Sequence, residues 1–599
     1  MIKRFISGIL VLLMLGTVIA GCSQKSNDEI VQKETDKNSR TTATLSMYLM
    51  SEEKISAEQV AKTEAAVNRI TKSKFKIQLK LRYFTEDEYY AELEKAMANY
   101  RVELEERTKK NTNATTTSTK SGETVAEETY LNEFGIPELV YPTISDNQVD
   151  IFYFGGYDKF AEYRKNENLA RLDNELTSSS KLLTSYIAPA FLTYIKSVAG
   201  GTYAIPNNRA VGEYTCLVMN KEILKDLSYL NEQETTNLET MFTSLTCAAV
   251  EDVLKQVKED PAYSEIIPLY MGKDEIPVSG VRYFGMGDNG RLSGSFSVIG
   301  GTYSNSWLYK TKDQYTRLGN ILGNSDFLAQ ARKYTEYKEK GYVDFDSDKD
   351  FAIGYVKGNA DVFDRFDSDK YVTVVLEYPT ITTADVFEHM FGVFEKTASV
   401  SKSMEIITYL NTNEDFRNLI QYGISGENYE LVDVDDADGN SHKVVKMLSN
   451  TYNLDPAKTG NNLILYPVYN KDLANVREYE RIQLRALKVS LIMGLDLIKF
   501  DTKTKNIINV AEKSMLEIKA LSEEIYEELL SATTVEELNT AISAAYSRVS
   551  GNMYVQIMLY ESYEPSEDTI ETYGEGTSLA AFYKEWLVEM GIYTEPKDD

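Results

Sequence analysis

Residues 201–224, GTYAIPNNRAVGEYTCLVMNKEIL, limit the architecture more than any other stretch. Tyr203-Ala204-Ile205 reads as a short strand ended by Pro206, because proline fixes its own φ and offers no backbone donor. Asn207, Asn208, Arg209 and Gly212 form a polar, turn-prone run. A second strand follows over 214–219, and Asn220 opens a helix. Two strands joined in this way can bend relative to one another. The stretch is therefore expected to be a crossing between two lobes, with the short apolar piece 390–394 as its partner.

The chain has 599 residues, too many for a single core. Hydrophobic residues make up 43% and charged residues 26%, ordinary for a globular protein. Its formal charge is −28, from 64 basic and 92 acidic residues. Without residues 1–21, which hold Lys3 and Arg4 and no acid, the balance is 62 against 92, or −30. Such a surface repels phosphate backbones, so nucleic acid is not expected as a partner.

The N-terminus carries the most specific local signal. Met1 to Arg4 is basic, residues 5–20 are apolar, and Ile19-Ala20-Gly21-Cys22 precedes a polar run. A short apolar stretch closed by small residues is the pattern of a secretory signal, here residues 1–21. A cysteine at the cleavage point resembles the lipobox of bacterial lipoproteins, in which Cys22 would be acylated, palmitate among the expected chains, and become the new N-terminus. Residues 22–42 lack hydrophobic periodicity and read as a tether. Cys216 and Cys247 sit in apolar contexts and read as buried free thiols, with a disulfide between them left open.

From residue 43 the pattern runs strand, helix, strand, helix: ATLSMYL, an amphipathic segment at 52–70, FKIQLKLRYF, and a helix opened by Thr85-Glu86-Asp87-Glu88 as a capping box. That order argues for an α/β lobe. Residues 109–128, rich in Thr, Asn and Ser, read as an exposed insertion. VDIFYF at 149–154 reads as a buried strand ended by Gly155-Gly156. A helix capped by Thr246 is expected over 246–258, a helix over 326–340, and, over 355–366, a short helix end, Gly358, then a strand. Ala437-Asp438-Gly439-Asn440 predicts a hairpin turn. The last third is mostly helical, with Thr534 and Glu537 as a capping box. The expected lobes are 43–207 with 391–495, and 208–390 with 496–599.

Motifs for catalysis or cofactors fail residue by residue. DVDDADGN and DFDSDKD break the calcium-loop pattern at its required positions. The two histidines, His389 and His442, lie in no ligand spacing, and no G-x-S-x-G, P-loop or G-x-G-x-x-G stands between a strand and a helix. No cofactor and no metal are expected. A carboxylate pair of the glycosidase kind remains open among 92 acids. The 42 tyrosines say more, since several stand where α/β loops leave strand ends. A sugar offers an apolar face and a rim of hydroxyls, which suits aromatic faces beside Asn, Asp and Arg.

The series of lipobox, ATLSMYL to LKLRYFTEDEYYAELE, VDIFYFGGYDKFAEYRKNENLARLDNEL and GTYAIPNNRAVGEYTCLVMNKEIL resembles the extracellular solute-binding lipoproteins of ABC importers, in the maltose-binding-like carbohydrate family. The later SVSKSMEIITYLNTNEDFRNLIQYGISGENYELV fits the same family. The likeness covers most of 43–434 and, more loosely, the helical C-terminus. It implies a periplasmic-binding-protein-like α/β fold of type II, two lobes with a hinge and a helical C-terminal part, closing on a ligand. It implies a monomer that takes a carbohydrate, delivers it to permease subunits and stays lipid-anchored outside the cytoplasm. Tyr48, Tyr157, Asp158, Asn207, Asn208, Tyr214, Trp307 and Arg365 are the ligand contacts it suggests. The Thr-rich insertion and the two tryptophans depart from the family pattern, which leaves a peptide ligand open beside the sugar. A secreted glycoside hydrolase is the rival from another class.

Overall fold

The computed structural model describes residues 43–114, 129–131, 137–139, 145–234, 236–288, 290–302, 318–363, 365–435, 441–469, 476–489, 510–560 and 566–589. The signal and tether segments with Cys22, most of the 109–128 insertion, Trp307 and the hairpin turn 437–440 lie outside the described residues.

The strands of the two main sheets are β1 (Ala43–Ser51), β2 (Ile77–Thr85), β3 (Ile151–Phe154), β4 (Ala204–Pro206), β5 (Tyr214–Asn220), β6 (Ile267–Met271), β7 (Val343–Asp344), β8 (Phe351–Gly358), β9 (Tyr371–Glu377) and β10 (Met390–Val393). The main helices are α1 (Ala57–Phe75), α2 (Glu86–Ala114), α3 (Tyr157–Lys165), α4 (Ala248–Glu259), α5 (Ser325–Glu339), α6 (Val400–Thr412), α7 (Glu414–Tyr422), α8 (Val476–Ala486), α9 (Glu512–Ser531), α10 (Val535–Gly551) and α11 (Leu579–Glu589). They fall into two compact units. Unit 1 runs to Arg209 and resumes over Phe387–Val434 and Lys443–Tyr469; unit 2 takes Ala210–Val386, Asp435–His442 and the chain from Asn470.

In unit 1 the sheet order is β2-β1-β3-β10-β4. β1 is buried along almost its whole length, as a central strand covered on both faces should be. β2, at the edge, alternates between buried and half-buried positions over 77–82 and is half-buried beyond. The outward backbone of β2 is covered from α1: Asn68 bonds Leu79 through both its donor and its acceptor, at 2.8 and 2.7 Å, and Glu64 accepts from Leu81 N at 3.0 Å. Ser56 caps α1 by accepting from Gln59 N, and Lys76 closes it in the left-handed region at φ 55.

In unit 2 the order is β7-β6-β8-β5-β9. Apolar clusters pack both faces of this sheet, around Val253, Leu269 and Ile353 on one side and Cys216, Val218 and Val356 on the other. A further core, built around Ile299, Ile518, Ile542 and Trp586, belongs to the helical C-terminal part with the short strands near 281–302. The α/β class and the helical C-terminal part are those the sequence predicts.

The two sheets share one rule. Counting each unit's own strands in chain order, both read second, first, third, incoming, fourth. The incoming strand is the one by which the chain has just arrived, β10 in unit 1 and β5 in unit 2. Each is antiparallel to both its neighbours, while the first three strands of each sheet pair in parallel. The fourth strand of each unit, β4 or β9, leads directly into a passage to the other unit. The unit boundaries at Arg209/Ala210 and Val386/Phe387 fall in these two passages. Within unit 2, Gly212 has φ +71, and a Cβ there would meet Thr380 O at 2.8 Å, so this passage needs glycine.

Several local expectations are corrected. α1 is displaced to 57–75, because Ser56 supplies its cap. α2 continues to Ala114, six residues into the expected insertion. The cap of α4 is Cys247, with no side-chain bond, and Thr246 lies one residue outside. Residues 351–358 form strand β8, which covers the helix end expected before Gly358, and a 3-10 helix over Ala360–Phe363 stands in place of the strand expected after it: β8 lies between β6 and β5, buried on both faces, and shows no period-two pattern. α8, expected with the first lobe, groups with unit 2, where Tyr479 stacks on Phe363 at 5.9 Å and Gln483 donates to the carbonyls of Val211 and Gly212.

Candidate functional site

Because β10 runs against β3 and β4, its first residue meets their last ones: Met390 pairs with Phe154 and with Pro206. This register brings Glu388 and His389 beside Gly155, Gly156 and Asn207 at the carboxyl end of the unit 1 sheet, where open α/β sheets place ligands. Gly156 N donates to Phe387 O at 2.7 Å, and Asn207 N to His389 O at 2.9 Å. Gly155 is required by closeness, since a Cβ would stand 2.3 Å from Glu388 O and 2.9 Å from the Tyr153 hydroxyl.

Polar side chains converge on this backbone. The Tyr153 hydroxyl and His389 Nδ1 are hydrogen-bonded at 2.8 Å. Gly155 N donates to the Tyr90 hydroxyl at 3.2 Å. Arg209, almost buried, forms an ion pair with Glu388, whose side chain is 56% exposed. Lys458 lies 3.4 Å from Glu86 and 3.8 Å from Asp455. Burial, reinforced by the Arg209 cation, lowers the His389 pKa to about 4. Glu388 and Asp455 oppose that shift and Lys458 adds to it. His389 is therefore neutral near pH 7. Burial also raises the Tyr153 and Tyr90 hydroxyls, which keeps both protonated.

A loop over 455–462 supports the site from below. Asn207 Nδ2 donates to Ala457 O at 2.7 Å, Asn208 Nδ2 to Asn461 Oδ1 at 3.4 Å, and Asn462 N to Asn208 O at 2.8 Å. The fully buried Arg417 of α7 binds the same loop through Asn461 O at 3.1 Å and Pro456 O at 2.9 Å. The guanidinium thus orders the backbone on which Asn207 and Asn208 rest.

The sequence-derived residues divide as follows. Tyr157, Asp158, Asn207 and Asn208 come together on this face of unit 1. Tyr157 is half-buried and edge-on to Phe387 at 5.3 Å, and Asp158 is exposed. Asn207 and Asn208 are buried structural partners of the loop. Tyr48 is only 2% exposed and stacks on Phe84 at 5.9 Å, within the packing of unit 1. Tyr214 is 1% exposed and packs edge-on to Phe363 at 5.0 Å inside unit 2. Arg365, also in unit 2, binds Asp361 at 2.8 Å and Lys357 O at 3.4 Å, closing the end of β8. Tyr90, Tyr153, Glu388, His389, Asp455 and Lys458 are missed by sequence reasoning. Their one local signal is that Glu388 and His389 immediately precede an apolar piece already suspected as a crossing.

The arrangement offers neutral imidazole, phenol, paired charges and a glycine-lined backbone. These can bond a polyhydroxylated or amide-rich ligand. Among the described residues no group of three or more His, Cys, Asp or Glu could hold a metal ion.

No family model matches the sequence, and no curated protein matches it. Among solved structures the chain is similar to extracellular solute-binding proteins. One is the N-glycan transport solute binding protein (NgtS) from Streptococcus pneumoniae, with 17% identity, coverage of 86% of this chain and 97% of that one, and a TM-score of 0.49. Another is the HMO binding ABC-transporter associated solute-binding protein from Bifidobacterium longum infantis, with 12% identity, 84% and 96% coverage, and a TM-score of 0.40. A third is the extracellular solute-binding protein from Staphylococcus aureus in complex with maltose, with 10% identity, 85% and 98% coverage, and a TM-score of 0.34.

Proposed function

We propose that the protein is the substrate-binding lipoprotein of an ABC importer, capturing an extracellular carbohydrate, by preference an oligosaccharide, and delivering it to the membrane permease. The observation that carries this reading is the shared strand rule. Two α/β units each take an incoming antiparallel strand directly from a passage between them, the connectivity expected of units that move about a hinge on ligand binding. The unit 1 face then supplies the contacts. Tyr90, Tyr157, Asp158, Glu388, His389, Asp455 and Lys458 hold the ligand, while Asn207, Asn208 and Arg209 position them. Capture is noncatalytic: the ligand shifts the conformational population by its differential affinity. Cys22, once acylated, retains the protein at the outer face of the membrane. Among the described residues no helix is long and apolar enough to cross a membrane.

A thermal-shift screen against oligosaccharides and peptides tests the reading. A ligand at ~100 times its dissociation constant stabilises by about 2.7 kcal/mol. Stabilisation by an oligosaccharide that is recovered intact is the expected result. Stabilisation by peptides alone, or catalytic release of sugar products, would overturn it. Tyr157→Ala is expected to weaken binding with little change in unliganded melting.

A further inference from the structure

Residues 65–85 contain Arg69, Lys72, Lys74, Lys76, Lys80 and Arg82 and no acid, in a chain whose net charge is −28. This run forms the second half of α1 and most of edge strand β2. Arg69, Lys72, Lys80 and Arg82 line a groove of about 1050 Å³ between the two elements, and Glu64 is its one lining carboxylate. Lys80 pairs with Glu64 at 3.3 Å and Arg82 with the fully exposed Asp146 at 3.4 Å; Lys74 lies over the Tyr409 ring at 5.0 Å. The groove lining thus holds four cations against one carboxylate.

The groove is not suited to an added strand. The backbone that such a strand would need at Leu79 and Leu81 is already bonded by Asn68 and Glu64. What remains is a cationic surface. Its place in the chain points to an occupant: Ala43 N donates to Lys76 O at 3.2 Å, so the chain upstream of β1 joins the fold beside the basic end of α1. Only residues 23–42 separate this point from Cys22.

We propose that this groove and the basic end of α1 form a contact face for an anionic lipid surface. The proposal rests on the reading of Cys22 as the lipid anchor. A surface carrying anionic headgroups attracts this face and repels the remaining, strongly acidic molecule, so the contact orients the anchored protein as well as holding it.

The test uses the chain from Cys22 onward carrying Cys22→Ser, which keeps every described residue and removes the anchor. At low salt it is sedimented with vesicles of one-third phosphatidylglycerol and two-thirds phosphatidylcholine, and with pure phosphatidylcholine. Sedimentation with the anionic vesicles alone is expected. Arg69→Gln, Lys72→Gln and Arg82→Gln together should weaken it about a hundredfold, from the usual contribution of one cation near such a surface. Lys181→Gln, Lys255→Gln and Lys443→Gln, which remove the same charge elsewhere, should leave it unchanged; thermal melts confirm that both variants fold. Equal sedimentation on both vesicle types, absence of sedimentation, or equal losses in the two variants overturns the proposal. So does binding to soluble polyphosphate with which the vesicles do not compete. The mass of the processed native chain tests the anchor separately, so failure of that reading is told apart from failure of the contact face.

Discussion

Acid is expected to weaken unit 1 through His389. An unperturbed histidine titrates near 6.5, and burial with the Arg209 cation brings His389 to about 4. The folded value lies below the unfolded one, so the unfolded chain takes up the proton first as the pH falls. The stability associated with neutral His389 is complete above about pH 6.5 and declines as the pH drops toward 4. Integrated to about pH 4.5, the loss is about 2.5 kcal/mol. Carboxylates with lowered pKa values, Asp173 and Glu103 among them, also lose stability in acid, so the informative quantity is a difference between proteins. His389→Phe removes the titrating group. Urea unfolding of both chains at about pH 7 and about pH 4.5 should show a fall smaller by about 2 kcal/mol in the variant. The chain has two histidines, so the ring signals of His389 can be assigned by that same substitution and titrated directly. A His389 signal that titrates near 6.5, or a variant with the same acid sensitivity as the parent, would refute the electrostatic account of the site.

Gly155→Ala forces a Cβ to within 2.3 Å of Glu388 O, so the start of β10 must move by about 1 Å, at a cost of about 1–3 kcal/mol. Thermal melting should show the loss, and calorimetric titration should show oligosaccharide affinity falling at least tenfold. Arg417→Met leaves the carbonyls of Pro456 and Asn461 without that donor and should destabilise by about 4 kcal/mol in urea unfolding, with Arg417→Lys recovering part of it. Gly212→Ala combines φ +71 with a contact at 2.8 Å to Thr380 O and should cost about 2 kcal/mol, read from the same unfolding curves.

The first strands and helices are legible because their signals are local. α1 has buried positions every fourth residue, at Gln59, Thr63, Val67, Thr71 and Phe75, and β2 alternates over 77–82. α10 begins with Thr534 and Glu537 in a capping box, as those two residues predict. The failures have non-local causes. β8 is apolar on both faces because an apolar cluster covers the sheet on each side, and nothing within 351–358 tells of those partners. The site is the strongest case. Tyr153 and His389 are 236 residues apart and meet only through the pairing of Met390 with Phe154. A histidine outside any ligand spacing gives no sign of such a contact. In the sequence Tyr48 and Tyr214 stand near strand ends; the structure buries both because their rings face neighbouring aromatics of the same unit.

The central claim is that unit 1 receives a carbohydrate at the face built by Gly155, Glu388 and His389. The most direct measurement follows the two histidine ring signals while an oligosaccharide from the thermal-shift screen is added. The His389 signal should move saturably with the ligand, and that of His442 should stay in place. A saturating oligosaccharide that leaves His389 unmoved would show that the ligand is held elsewhere, and would contradict the account.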